Sequence, residues 1–398
     1  MNALRVFFYR TYQVALKGAM AFLRIPLPFL LDRVEELGAE LKGKKLKHPL
    51  IVTDKGLASF PAFLILKQAL DEAEITYEVY DGAVPNPTFA CIEEGVKRYR
   101  EAHCDALIAY GGGSPMDCAK GIAILASYPK KSLQAFKGVL HVHRKLPYLL
   151  AIPTTVGTGS EATLAAVVLN ESTKDKFQID SPRLVPNAAL LDPRFVQGLP
   201  KGLIASTGMD AFTHALEAYL GRGGTKFSDK YALSALKGLH EHLYAFYEDP
   251  TSKEHAFGMQ KAAYEAGVAF TRAFVGYVHA LAHALGGAHG VPHGLANAVL
   301  LVPTLKKYGK SIEKKLARIA PIFDVQGQNN AESAANVLAY LEDLERKMNL
   351  PKGFKDLVKD PDLDALAKHA AKEGNPFYPV PKILTRNELK DILQEVCI

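Results

Sequence analysis

Between about residue 46 and residue 191 short apolar runs alternate with amphipathic ones, and after Leu199-Pro200 the alternation stops. The apolar runs read as strands at 49–53, 76–80, 106–110, 148–152 and 185–191. The segments at 59–71, 88–101 and 114–127 read as helices. Strand–helix units of this length pack as a parallel sheet with helices on both faces. Beyond Pro200, Ala, Leu, Glu and Lys fill helix-length stretches such as 210–219 and 230–247, and strand patterns vanish. An α/β domain at 32–200 and an all-helical domain at 201–398 are therefore expected, preceded by an extension at 1–31. A chain of 398 residues also exceeds the size at which single cores stop growing.

The extension mixes apolar side chains with Arg5, Arg10, Lys17 and Arg24. Lys17 and Arg24 interrupt its apolar stretch too often for a membrane span or a signal-peptide core, so no stable membrane insertion is expected. A basic amphipathic helix packed on its own protein or on a partner subunit is the preferred reading, with a membrane-surface helix as the alternative. The net charge of +6 is dispersed. Its densest run, 42–47, has no interleaved aromatics and reads as a solvated loop rather than a nucleic-acid patch. Cys91, Cys104, Cys118 and Cys397 show no paired spacing, which suits reduced thiols in a cytoplasmic protein.

Gly111-Gly112-Gly113-Ser114-Pro115 follows the strand at 106–110 and opens a helix. The glycines permit positive φ and close approach of a ligand. Ser114 is expected at the N-cap, Pro115 at the first helical position and Asp117 at the reciprocal capping position. Free amides at such a helix start make an anion site, suited to pyrophosphate. The loop is not GxGxxG, so an ordinary Rossmann assignment does not follow. A second loop at 153–161 offers Thr154, Thr155 and Thr158 at the carboxyl end of another strand. Asp54 ends the strand at 49–53, where a carboxylate accepts from a ribose and repels a 2′-phosphate. The carboxylate favours NAD over NADP, and the two loops and the carboxylate argue together for a dinucleotide.

Asp210 and His214 stand four apart, and His279, His283, His289 and His293 follow. Residues four apart share one helix face. A carboxylate with imidazoles suits zinc or ferrous iron. His279 and His283 are expected on a helix that Gly286-Gly287 ends, with His293 in the loop after Pro292. Thr207 to Asp210 also reads as a capping box, the competing role for Asp210. Spacing leaves open which two of the later histidines complete a four-ligand set.

The stretches 208–217, 278–286 and 292–298, with 111–120 and 153–161 in the same order, closely resemble the iron-containing (group III) alcohol dehydrogenase family. The resemblance runs from about residue 32 to the end. It implies the dehydroquinate synthase-like architecture, a nucleotide-binding α/β domain followed by an all-α domain. It implies Asp210, His214, His279 and His293 as ligands to Fe²⁺ or Zn²⁺, with His283 beside substrate and nicotinamide as the catalytic proton carrier. Asp54, Gly111, Gly112, Gly113, Ser114, Asp117, Thr154, Thr155, Thr158 and Lys176 fall where the family binds its cofactor. His289 falls outside the pattern. The implied activity is hydride transfer between a small alcohol or aldehyde and NAD(P), in a homodimer or larger homo-oligomer. A glycerol or polyol dehydrogenase of the same fold and a metallohydrolase are the rival readings.

Overall fold

In the computed structural model, which describes residues 3–398, helix α1 (Ala3–Phe22) precedes a run of alternating strands and helices. The run comprises β1 (Phe29–Leu31), α2 (Leu37–Gly43), β2 (Pro49–Val52), α3 (Lys55–Ala58), α4 (Pro61–Glu72), β3 (Glu78–Tyr80) and α5 (Phe89–Glu101). It continues through β4 (Ala106–Gly111), α6 (Gly113–Ser127), β5 (Gly138–Val139), β6 (Tyr148–Pro153), β7 (Ala165–Asn170), β8 (Asp175–Asp180) and β9 (Ala188–Leu190). Then come α7 (Lys201–Leu220), α8 (Lys226–Glu248), α9 (Lys253–Ala273), α10 (Tyr277–His289) and α11 (His293–Tyr308). The chain closes with α12 (Glu313–Ile319), α13 (Asn330–Lys347), α14 (Leu363–Gly374) and α15 (Arg386–Cys397). Residues 24–197 form one compact unit, and residues 198–398 form the other together with α1.

The main sheet of the first unit has the order β1-β9-β6-β4-β2-β3, and its paired strands are parallel. Both faces are covered, which is why β2 and β4 are apolar without alternation and buried along their whole length. Leu50, Val52, Leu107 and Ala109 face one core, and Ile51, Ile108, Tyr110 and Ile152 face the other. The β4–β6 register sets Gly111 opposite Pro153, so the two glycine- and threonine-bearing loops leave the same sheet end side by side.

Three features differ from the sequence expectation. Phe29–Leu31, assigned to the extension, pairs with β9 and belongs to the sheet. The helix expected at 59–71 is α4, which Pro61 opens at its N1 position, and a short helix outside that expectation, α3, precedes it. A small sheet, β5-β8-β7, went unread. Its antiparallel β7–β8 hairpin is half-exposed, and Lys176, Gln178 and Asp180 give β8 no apolar run to detect.

In the second unit α7 is buried on nearly every side from Thr207 onward, the property of a central helix. It packs against α8, α9 and α11, while α10 packs against α11 and α14. Helix α1 is fastened to this unit through main-chain carbonyls. Arg10 donates to Val380 (2.6 Å) and Pro381 (2.9 Å), Gln13 to Tyr378 (2.7 Å), and Lys17 to Arg222 (3.1 Å) and Gly224. Among the described residues no helix is long and apolar enough to cross a membrane.

Candidate metal centre

Asp210, His214 and Glu217 project from one face of α7, at spacings of one and two turns. Asp210 is interior to that helix, so its capping-box reading is corrected: α7 starts at Lys201, well before Thr207. Helix α10 carries His279 and His283 and runs through Gly286-Gly287 to His289. Its end comes at Gly290, whose φ of +69° supplies the left-handed stop that the earlier glycines do not provide. His293 is not in a loop but opens α11, with Asn297 one turn on.

These helices bring the Nε2 atoms of His214, His279 and His293 to 3.9, 4.0 and 3.6 Å from Asp210 Oδ1. One ligand atom from each of the four residues lies within 4.8 Å of the others. Asp210, His214 and His279 are buried, whereas the His293 side chain is 43% exposed. His279 Nε2 is buried and has no hydrogen-bond partner among the described residues. A buried imidazole nitrogen left bare costs free energy unless something occupies its lone pair. A divalent cation among these four groups does that, so the residues present fit a metal ion.

The protonation states suit the same role. Burial, then the neighbouring His214, His293 and His283 rings, hold His279 well below the ordinary histidine range and keep it neutral. Glu217 fixes which nitrogen carries the proton. Its Oε2 accepts from His279 Nδ1 (2.7 Å) and from Gly276 N (2.7 Å), and its Oε1 accepts from Val278 N (2.8 Å). The carboxylate therefore caps the start of α10 and turns His279 Nε2 towards the other ligands. Burial pushes the Glu217 carboxyl up to about 7, against the lowering by the Gly276 and Val278 amides. A Cβ at Gly276 would stand 2.6 Å from Glu217 Oε1, so a larger residue there would have to displace this carboxylate.

His283 lies beside the four and is not among them. Its ring stacks on His293 at 5.2 Å between centroids, and its Nδ1 is 2.7 Å from Glu373 Oε1 on α14. Tyr378 Oη donates to the same oxygen at 2.7 Å. Burial pushes Glu373 up, but the His283 ring and these hydrogen bonds outweigh it and hold the carboxyl below the usual range. Asn297 Nδ2 donates to Asp210 Oδ1 (2.7 Å) and lies 3.1 Å from His293 Nε2. His289, at the end of α10, is outside the cluster.

In the first unit, α6 starts at Gly113 with Gly112 as an uncapped N-cap. Ser114, Pro115 and Asp117 are thus helical, and the expected Ser114 cap is not formed. The turn is set instead by Gly111, at φ +153°, where a Cβ would stand 2.4 Å from the Pro115 ring. The first-turn amides of α6 are left for another acceptor. The Thr154 and Thr155 hydroxyls are buried without a hydrogen-bond partner among the described residues, and Gly112 abuts Thr155. Thr158 lies against Gly113. Bare amides and bare hydroxyls at one sheet end fit a pyrophosphate. Asp54 Oδ1 caps α3 by accepting from Leu57 N at 2.9 Å. Lys176 is exposed on β8 and donates to Asn86 Oδ1 at 2.6 Å.

Asp117 points away from the helix start. It accepts from Val167 N (3.1 Å) and Ser160 Oγ (3.3 Å), and desolvation raises its carboxyl to about 6. Next to it Lys120, fully buried, donates to the Ser160, Thr163 and Ala165 carbonyls and to the Ser160 and Thr163 hydroxyls, at 2.8–3.2 Å. Lys120 therefore pins the segment that follows the threonine loop.

Sequence reasoning passed over Glu217, Glu373, Asn297 and Lys120. Glu217 had a local signal, since it stands three residues after His214 on the same helix face. Glu373 had none, being 90 residues from His283 along the chain.

Residues 29–193 match the iron-containing alcohol dehydrogenase family, and residues 204–397 match the C-terminal part of the Fe-containing alcohol dehydrogenase family. The 1,3-propanediol dehydrogenase of Citrobacter freundii is 37% identical over 374 residues, which is 92% of this chain and 95% of that protein. The NAD-dependent methanol dehydrogenase of Bacillus methanolicus is 33% identical over 364 residues, 91% of this chain and 95% of that one. The solved structure of an alcohol dehydrogenase from Oenococcus oeni superposes with a TM-score of 0.89 at 32% identity, covering 94% of this chain and 99% of that one. The chain belongs to the iron-containing alcohol dehydrogenase family and is a metal-dependent alcohol and aldehyde oxidoreductase.

Proposed function

We propose that Asp210, His214, His279 and His293 hold Fe²⁺ or Zn²⁺, and that the loops at 111–115 and 153–160 hold NAD. The bare, buried His279 Nε2 facing three other ligand atoms carries this reading. When bound, the metal polarises the substrate oxygen and the nicotinamide exchanges hydride with the substrate carbon. Glu217 keeps the proton on His279 Nδ1, so the other nitrogen stays a ligand. His283, oriented by Glu373, takes the hydroxyl proton of the alcohol in oxidation and returns it in aldehyde reduction. Asp54 offers its second carboxylate oxygen to the ribose, which favours NAD over NADP. The Gly112 and Gly113 backbone and the Thr154, Thr155 and Thr158 hydroxyls support the pyrophosphate, with Lys176 near the cofactor.

The test is anaerobic purification with elemental analysis, followed by NADH absorbance across alcohols and aldehydes. The propanediol relative puts short diols and their aldehydes first on that panel. Iron- or zinc-dependent NADH turnover is expected; a metal-loaded protein without NAD-linked turnover on any of them would overturn the reading. The bare threonine hydroxyls favour a dehydrogenase over a metallohydrolase, which has no use for a nucleotide loop. In the same assay His283→Ala should keep its metal and lose about 10²- to 10³-fold in kcat. An unchanged kcat would remove His283 from the proton path.

The reading extends to a cytoplasmic homo-oligomer. The four cysteines are free thiols, and β1 is an edge strand with Phe29 and Leu30 exposed, the type of edge that pairs with a second copy.

A further inference from the structure

Helix α1 lies outside both family matches, yet it is held at a defined rotation by the hydrogen bonds from Arg10, Gln13 and Lys17. That rotation buries Tyr9 and Gln13 and turns Leu4, Phe7, Phe8, Val14 and Phe22 outward, each 60–90% exposed. At about 100° per residue these five fall in one stripe. A fastened helix that keeps three phenylalanines in water is missing a partner for that face.

The charges around the stripe state what the partner is. The chain has no acidic residue before Asp32, while Arg5, Arg10, Lys17 and Arg24 are basic. Lys17 stands on the flank of α1, between the docked and outward faces, and lines a cavity of about 710 Å³. Arg222, Lys310, Lys314 and Lys315 line the same cavity, with Glu313 as its one acidic residue. Burial, then the crowding of Lys17, Arg318 and Arg222, holds the Lys315 amine below the ordinary lysine range against the pull of Asp229. Two copies of such a face would bring like charges together, whereas an anionic surface neutralises them.

We propose that the outward stripe of α1, with the basic cavity on its flank, docks the protein peripherally on an anionic phospholipid bilayer. The aromatic stripe enters the headgroup boundary and the cavity receives lipid phosphates and carboxylates. The contact is one of adsorption, with no helix crossing the membrane.

Full-length protein is centrifuged with vesicles of phosphatidylcholine alone or mixed with phosphatidylserine, at low and high salt. Pelleting is expected with the mixed vesicles only, and added salt should release the protein. Phe7→Glu/Phe8→Glu should lower the bound fraction about tenfold or more while NAD-linked turnover is retained. Lys310→Glu and Lys314→Glu, made singly, should each weaken binding about fivefold or more. These two keep the proposal open to refutation if the aromatic variant misfolds. Wild-type protein left in the supernatant, pelleting without lipid-charge preference, or unchanged binding in the folded variants would overturn it. If light scattering shows a dimer that only the aromatic variant loses, and the wild type does not pellet, the face belongs to a second copy instead.

Discussion

His279→Ala is expected to lose its metal and its activity together, with kcat down roughly a thousandfold or more. His279 is the most enclosed imidazole of the four-residue cluster, and its Nε2 has no hydrogen-bond partner among the described residues to fall back on. Removing it leaves an open coordination position and strands Glu217, whose carboxylate was arranged around the His279 Nδ1 proton. Lewis-acid assistance is worth several kcal/mol, and each ~1.4 kcal/mol is tenfold in rate. Elemental analysis of the purified variant beside its NADH turnover makes the check. Full activity in a preparation shown to be free of metal would end the assignment of Asp210, His214, His279 and His293 as a catalytic ion site. Because Glu217 also caps α10 through Gly276 and Val278, the variant should keep its helical circular dichroism, separating loss of metal from loss of fold.

Lys120→Met should be the largest stability defect in the first unit. The side chain fits the space, but the Lys120 ammonium shares its three N–H donors among five oxygens of the segment 160–165 and is fully buried beside Asp117 and Glu161. Burial lowers Lys120 to about 8 and raises Glu161 to about 7. Removing one partner of such a buried set costs about 3–5 kcal/mol. For a unit of this size that lowers Tm by roughly 10 °C. The pH dependence has a definite sign. A carboxyl raised above its unfolded value contributes stability below that value and loses it as pH rises through the folded one. Without Lys120, Glu161 and Asp117 rise further, so the deficit against wild type should widen between pH 5 and pH 7. A deficit of equal size at both pH values would mean that lost packing, not the charge, is responsible. Cofactor affinity should fall with it, since the pinned segment follows the threonine loop.

Much of this molecule was legible locally. The strands at 49–52, 106–111 and 148–153 are apolar because both sheet faces are covered, and a run of apolar residues shows that without any partner. Asp210 and His214, or His279 and His283, are helix neighbours by spacing alone. The hairpin at 165–180 escaped because its strands are half-exposed, and the end of α10 was misplaced because glycine in a helix is a cost that packing can override. The start of α6 was misread because Ser114 looks like a cap, while Gly111 made the turn.

The sequence by itself determined the two-part architecture, the glycine and threonine loops and the pool of metal-ligating side chains, since each depends on neighbours a few residues apart. Only the tertiary structure decided which histidines meet, because α7, α10 and α11 aim three Nε2 atoms at one aspartate through packing between helices far apart in sequence. It also decided the supporting charges, Glu217 on His279 and Glu373 on His283, and the rotation of α1 that leaves its aromatic face outward. Spacing along a helix is a local property. Which face meets which partner is settled by the free energy of burying every other side chain at once.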